Sequence, residues 1–336
     1  MPNCGSQIIL CDLPIRFDTY KGCSHGCKYC FVTRKIDINN IEIGETAKQL
    51  ENFVAGKRNE ETAWCDWDIP LHWGGVSDPF QPIELKHRIS LDCLKVFART
   101  KYPFVVSTKN TTILSRPEYL ELLSQCNAVV QISAVAPIFD TIEPGAPKFN
   151  ERIEAISTIS KHCKRVIIRI QPYIREAKPH ILSALGRYKA NGVYGVTVEG
   201  IKYFCKKKGF IKLGGDYVYP TEILQGDFMQ IKDECHKNGL KFFSAENRLR
   251  SMGDDMCCCG IMGLENFKTN IANLVHYLQN GKIEYTENMK INNQGTMAFK
   301  AMCQESISTS ALKNASYQDI MEVFKKDKKT IKGLLK

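Results

Sequence analysis

Cys23, Cys27 and Cys30 stand within eight positions of "TYKGCSHGCKYCFVTRK" (19 to 35), a concentration of thiols that asks for a metal. A tetrahedral zinc ion needs four ligands, so zinc here would require His25 or a remote cysteine to complete the set. A [4Fe-4S] cube also presents four metal corners, and three thiolates from one loop would fill three of them. The fourth iron would stay open to a ligand that is not protein. A second concentration lies in "DDMCCCGIMG" (254 to 263), where Cys257, Cys258 and Cys259 are adjacent. Neighbouring side chains diverge, so all three do not readily reach one metal. Two of them, joined by Cys235, Cys303 or another distant thiol, would serve an auxiliary iron-sulfur cluster. Alternatively, one acts as a hydrogen-donating or redox thiol, and the bland reading is a small buried hydrophobe.

Groups of this kind need a scaffold that aims them. Apolar, β-rich runs at 69 to 77, 103 to 109, 128 to 133, 165 to 174, 192 to 200 and 240 to 246 alternate with helical stretches. The helical stretches are 45 to 56, 84 to 100, 117 to 125, 150 to 163, 179 to 190 and 221 to 238. Strand and helix in strict alternation predict an α/β chain with a parallel sheet, closed or partly closed as a barrel. Active groups of such barrels lie at the C-terminal ends of the strands. Ser77, Asp78, Lys109, Ser133, Gln171 and Glu199 end successive runs and are expected to face a shared centre. Beyond residue 250 the β runs stop. Residues 1 to 250 are therefore expected to form the barrel, and 251 to 336 an extension that closes one side, with a helix near 263 to 279.

Composition narrows the class. The chain has 336 residues, 43% of them hydrophobic, and fifteen cysteines without the basic start and apolar run of a secretory signal. Free thiols in a reducing compartment, and hence a cytoplasmic location without membrane segments, are expected. The net charge of +10 is concentrated in part in "CKKKGFIKLGG" (205 to 215) and in the last thirteen residues. Such stretches attract nucleic acid or simply solvate a surface.

The C-x3-C-x2-C spacing with Tyr29 before the last cysteine resembles the signature of the radical S-adenosylmethionine enzymes. Within that superfamily, "GCSHGCKYCF", "SDPFQPIE", "VVSTKN", "VVQIS" and above all "IEPGAPKFNERIEAI" (142 to 156) resemble spore photoproduct lyase and lyase-like proteins. These stretches occur in the family's order over residues 19 to 175. The resemblance implies a partial (β/α)6 TIM-type barrel of the radical S-adenosylmethionine type. It implies that Cys23, Cys27 and Cys30 hold a [4Fe-4S] cluster and that His25 is a loop residue. Tyr29, Gly75, Ser77, Asp78, Lys109, Ser133 and Arg152 fall where cofactor contacts are expected, with Arg152 alternatively ion-paired to Glu143 or Glu154.

Two positions depart from the lyase. Its hydrogen-returning cysteine, two residues before the cofactor-contacting serine, is here Gly75, and its relay tyrosine after the last cluster cysteine is Phe31. The radical generator is kept and the downstream chemistry is different. The implied reaction is reductive cleavage of S-adenosylmethionine followed by hydrogen abstraction from a substrate. That substrate is a nucleic-acid base or nucleotide, or else a peptide or small metabolite served by an auxiliary cluster at Cys257–Cys259. The implied partner is an electron donor such as flavodoxin or ferredoxin. The non-enzyme alternative is a nucleic-acid-binding module built on structural zinc.

Overall fold

The structure, a computed structural model, describes residues 1–4, 11–34, 36–59, 62, 65, 68–213 and 216–270. Its strands are β1 (Asn3–Cys4), β2 (Ile15–Phe17), β3 (Tyr20–Lys21), β4 (Glu42–Ile43), β5 (Leu71–Trp73), β6 (Phe104–Thr108) and β7 (Ala128–Ser133). They continue with β8 (Arg165–Tyr173), β9 (Val193–Gly200), β10 (Ile211–Leu213), β11 (Asp216–Val218) and β12 (Lys241–Ser244). The helices are α1 (Ala47–Val54), α2 (Glu84–His87), α3 (Ile89–Thr100), α4 (Thr111–Leu114), α5 (Pro117–Ser124), α6 (Phe149–Ile159), α7 (Lys178–Ala190) and α8 (Thr221–Lys237).

One sheet runs in the order β1-β2-β5-β6-β7-β8-β9-β12. Only β1 is antiparallel to its neighbour; all the other pairs are parallel. Six β/α units followed by β12 make the partial (β/α)6 TIM-type barrel, with β12 and the β1–β2 edge left unpaired with each other among the described residues.

Each central strand buries both faces, as a sheet covered on two sides must. Phe104, Val106, Ala128, Val130, Val166 and Ile168 pack outward under the helices. Trp73 anchors that layer, with its ring centroid 5.6 Å from Phe97, which stacks on Phe104 at 4.1 Å. Val105, Val129, Ile167 and Phe243 point the other way, into the lumen, and meet Leu13, Cys257, Cys259, Ile261 and Phe267. The start of the expected extension thus plugs the lumen at the N-terminal part of the strands. Arg165 fixes it there by donating to Gly260 O at 2.7 Å and Met262 O at 2.8 Å. Gly260 has φ 71°, and a Cβ on it would lie 2.6 Å from Ile167 Cδ1, so this close approach needs glycine. Just before it, Asp254 exchanges backbone and side-chain bonds with Phe242, covering the open side of β12.

Three expectations change. The run 69 to 77 is a strand only over Leu71–Trp73, because Gly74 turns with φ 83° where a Cβ would be 2.4 Å from Ser107 O. The helix 84 to 100 breaks at Arg88, which takes φ 55°. The break lets the buried Glu84 carboxylate accept from Ser90 N and Leu91 N, both at 2.9 Å, and so cap α3. Residues 263 to 270 are turn and irregular chain, not helix; the rest of the helix expected near 263 to 279, and Cys303, lie outside the described residues.

Candidate active site at the barrel mouth

The three-cysteine loop leaves the C-terminal end of β2 through the short β3–β4 ribbon. Gly22, at φ 78°, sits where a Cβ would be 2.4 Å from Asn40 O, which pins the start of the loop. Cys23 N donates to Ile38 O at 2.8 Å, and Cys30 N closes a turn on Cys27 O at 3.1 Å. The segment after β5 grips the loop from one side: Gln81 accepts from Ser24 N at 2.9 Å and donates to Gly22 O at 3.1 Å. The "EPG" segment grips it from the other. Lys28 N bonds Ile142 O at 2.9 Å, and Gly145 N bonds His25 O at 2.9 Å. A Cβ on Gly145 would fall 2.2 Å from Ser24 O. Two of the stretches that carry the lyase resemblance, "SDPFQPIE" and "IEPGAPKFNERIEAI", are therefore the two jaws that hold the cysteine loop.

His25 is only 1% exposed, and both of its ring nitrogens are engaged. Nδ1 meets Gly145 O at 2.9 Å and Nε2 meets Asp78 Oδ2 at 3.0 Å. It fastens the loop to Asp78 and has no nitrogen left for a metal. Among the described residues no three His, Cys, Asp or Glu side chains converge on the position of one metal ion. Cys23, Cys27 and Cys30 are free and partly exposed. Burial, with the nearby Asp78 charge, pushes the Cys23 thiol up to about 12, and burial raises Cys27 despite Lys109. Three soft sulfurs on one exposed loop, with the neighbouring imidazole turned away, form a donor set that fits a cube with one open corner. Loading it must release the thiol protons.

Asp78 organises the floor beneath the loop. Its Oδ1 accepts from Thr108 Oγ1 at 2.8 Å and Phe80 N at 2.9 Å, and its Oδ2 from Lys109 N at 2.6 Å. Burial alone would raise its pKa, but His25 and these donors hold it at about 2. Ser77 Oγ donates to Tyr20 O at 2.6 Å, while Ser133 Oγ stands at the end of β7 without a hydrogen-bond partner among the described residues.

Glu143 is the residue that sequence reasoning treated only as an ion-pair partner. It is buried, and three expected site residues converge on it. Tyr29 donates its hydroxyl to Oε1, Arg152 Nη2 lies 2.6 Å from Oε2, and Lys109 Nζ is 3.9 Å from Oε1. Lys109 also sits 5.8 Å from the centre of the Tyr29 ring. Arg152 is buried, so the alternative of a helix-surface pair gives way to an internal one with Glu143. Its remaining donors go to Pro147 O at 2.7 Å and Ser133 O at 2.8 Å. The signal in the sequence was the spacing of Glu143 to Arg152 inside one motif.

Beneath this mouth a polar layer crosses the lumen. Ser107 Oγ takes Arg169 Nη1 at 2.8 Å and lies 3.0 Å from His72 Nε2 and 3.1 Å from Gln131 Oε1. Gln171 joins Arg169 to Glu199, and Lys202 pairs with Glu199 at 2.6 Å. Gly75 lies beside Arg16, and Phe31 begins a short turn, largely exposed.

Cys257, Cys258 and Cys259 are not at the mouth. They line the plug on the far side of the polar layer, and their side chains do not diverge as expected. Cys258 Sγ is 3.8 Å from Cys259 Sγ, and Cys257 packs in the same cluster. Cys11, brought in from the N-terminal segment, packs beside them. The Cys259 hydrogen bond and then the buried Arg250 draw Cys258 down to about 5, whereas burial raises Cys11 to about 12. A thiol with lowered pKa is a thiolate above that value and loses the form only as pH falls through it. Reduced protein treated with iodoacetamide at pH 6 is therefore expected to be modified at Cys258 before Cys11, Cys257 or Cys259, with a rate that halves near pH 5. Peptide mass mapping across pH 4 to 9 checks this, and a Cys258 rate that keeps climbing up to pH 8 or 9 contradicts it.

No family model matches the chain. It is 27% identical over 212 residues to the uncharacterized protein Rv2578c of Mycobacterium tuberculosis H37Rv, an alignment spanning 59% of this chain and 62% of that protein. Similarity thus spans about three fifths of that relative's length. In structure the chain resembles Streptococcus suis SuiB bound to S-adenosylmethionine, with TM-score 0.50, 11% identity and coverage of 91% of this chain and 76% of SuiB. SuiB bound to its precursor peptide SuiA gives TM-score 0.52 and 13% identity, over 96% and 70% of the two chains. At such identity the likeness is one of fold, and it agrees with the partial barrel.

Proposed function

We propose that this chain is a radical S-adenosylmethionine enzyme, lyase-like in its cofactor site, in which Cys23, Cys27 and Cys30 hold a [4Fe-4S] cluster. One observation carries the reading: a C-x3-C-x2-C loop whose histidine, His25, is turned away into bonds with Gly145 and Asp78, held over the C-terminal mouth of the barrel fold. Held by Cys23, Cys27 and Cys30, such a cluster would supply the one-electron reduction that cleaves the sulfonium of S-adenosylmethionine. The chain's own residues position that cofactor. Lys109 brings a cation, Ser133 a free hydroxyl at the end of β7, and Tyr29 an aromatic wall beside the last cysteine. Asp78 and Ser77 set the floor through their backbone bonds, and Arg152 acts from behind, through Glu143. Gly75 leaves the adjoining lumen open.

The reaction proposed is hydrogen abstraction from a substrate in the lumen, a nucleic-acid base or nucleotide being supported by the lyase resemblance and the net charge of +10. Gly75 and Phe31 carry neither thiol nor hydroxyl, so hydrogen does not return to the product by the lyase's relay. Electrons come from a flavodoxin- or ferredoxin-type donor in the cytoplasm. Anaerobic protein incubated with dithionite and S-adenosylmethionine is expected to release 5′-deoxyadenosine, measured by chromatography. Iron-loaded protein that forms none, with or without added DNA, overturns the reading.

A further inference from the structure

The polar layer of the lumen has an unbalanced charge. Arg16, on β2, is half-buried, and its guanidinium has no hydrogen bond or ion pair among the described residues. Arg169, on β8, is also half-buried and gives its donors to neutral acceptors, Ser107 Oγ at 2.8 Å and Gln171 Oε1. Two carboxylates border this layer, Asp18 close enough to feel the Arg16 charge and Glu199 linked to Arg169 through Gln171, and each has other partners. Asp18 accepts from Val76 N at 3.1 Å and Ser77 N at 3.3 Å, and Glu199 is paired with Lys202 at 2.6 Å. Between the two arginines, His72 shares Ser107 with Arg169 and neighbours Arg16 across the β2–β5 pair. Thr197, which pairs with Arg169 across β8 and β9, is 3% exposed, and its hydroxyl has no hydrogen-bond partner among the described residues.

We infer that this layer is an anion site, and that the substrate carries a carboxylate or phosphoryl group seated between Arg16 and Arg169. The inference rests on the proposed enzyme reading for its use, since it names the class of substrate that the lumen receives. Two guanidiniums facing one space repel each other, and an anion between them removes that repulsion while gaining forked, charge-assisted hydrogen bonds. The Thr197 hydroxyl supplies a neutral donor to the same space. Gly75 has a place in this arrangement, because a Cβ there would lie 3.3 Å from Arg16 Cδ and 3.5 Å from its Nε. The position that holds a thiol in the lyase is emptied here beside an arginine. Burial, with Arg169 and Arg16 nearby, keeps His72 well below the usual histidine range, so it stays neutral beside a bound anion and accepts or donates a hydrogen bond according to its tautomer.

The test is anion binding by the full chain, purified without air. Orthophosphate and glutarate are titrated separately at constant ionic strength, with calorimetry as the readout. At least one is expected to bind saturably, and preference for phosphate over glutarate, or the reverse, distinguishes a phosphoryl from a carboxylate substrate. Arg16→Gln and Arg169→Gln are each expected to weaken binding about tenfold or more, and Arg169→Lys less, because charge is kept and the fork is lost. A variant with Lys206, Lys207 and Lys208 changed to alanine, which removes charge from an exposed stretch away from the lumen, is expected to bind as wild type does. Absence of saturable binding of either anion, equal binding by the arginine-to-glutamine variants, or loss in the lysine variant overturns the inference. Thermal melting confirms that each variant is folded; if one glutamine variant is not, the other and Arg169→Lys still decide. Anion binding needs no electron and no S-adenosylmethionine cleavage, so this inference and the enzyme reading fail by different measurements.

Discussion

Cys27→Ala is expected to reduce 5′-deoxyadenosine formation by at least about a thousandfold, equivalent to roughly 4 kcal/mol or more of lost barrier reduction. Cys23→Ala and Cys30→Ala are expected to do the same. On the proposed reading, each removes one of the three thiolates that would hold the cube. His25, the nearest candidate replacement, has Nδ1 against Gly145 O and Nε2 against Asp78. The companion variant is His25→Ala. It removes the clasp between the loop and Asp78, so the protein should melt earlier, yet iron and sulfide per chain should stay near wild type. A structural zinc completed by His25 gives the opposite pattern, with zinc in the purified protein and metal loss in His25→Ala. Metal analysis of the four variants, with sulfide determination, separates the two.

The elements that place this loop were visible in the sequence to different degrees. β6, β7, β8, β9 and β12 are continuous apolar or β-branched runs because both of their faces are covered, and such runs stand out from the helical periodicity around them. β2, the strand that delivers the cysteine loop, is only Ile15–Phe17, between Pro14 and Asp18, too short for any period to register. The β10–β11 hairpin lies within a lysine-rich stretch that reads as a solvated surface. At the site, the cysteine spacing and the strand-end polar residues were legible because chemistry and position coincide there. Glu143 was not, because a carboxylate in a loop is ordinarily solvent-exposed, and its importance comes from Tyr29 and Lys109, which arrive from distant parts of the chain to join Arg152 of its own motif. Arg16 and Arg169 were hidden for a related reason. An arginine inside a strand reads as an edge or surface residue until the barrel closes round it.

Glu143→Ala is expected to be the costliest substitution at the mouth. It leaves Arg152, which is 1% exposed, with a buried and uncompensated charge, a loss of about 3–5 kcal/mol. Tyr29 and Lys109 lose their acceptor at the same time. Burial and Glu143 hold the Tyr29 hydroxyl far above the ordinary tyrosine range, so it stays a neutral donor at any working pH and has only Glu143 to donate to. Stability and site function are separable in a double variant. Glu143→Ala combined with Arg152→Met removes both charges and fills part of the space, and should recover much of the melting temperature lost by Glu143→Ala alone. 5′-Deoxyadenosine formation should not recover with it, since Tyr29 and Lys109 would still lack the carboxylate that fixes them beside the cysteine loop. If activity returned with stability, Glu143 would be a scaffold residue only, and the positions of Tyr29 and Lys109 would have to be set by Asp78 and the loop jaws alone.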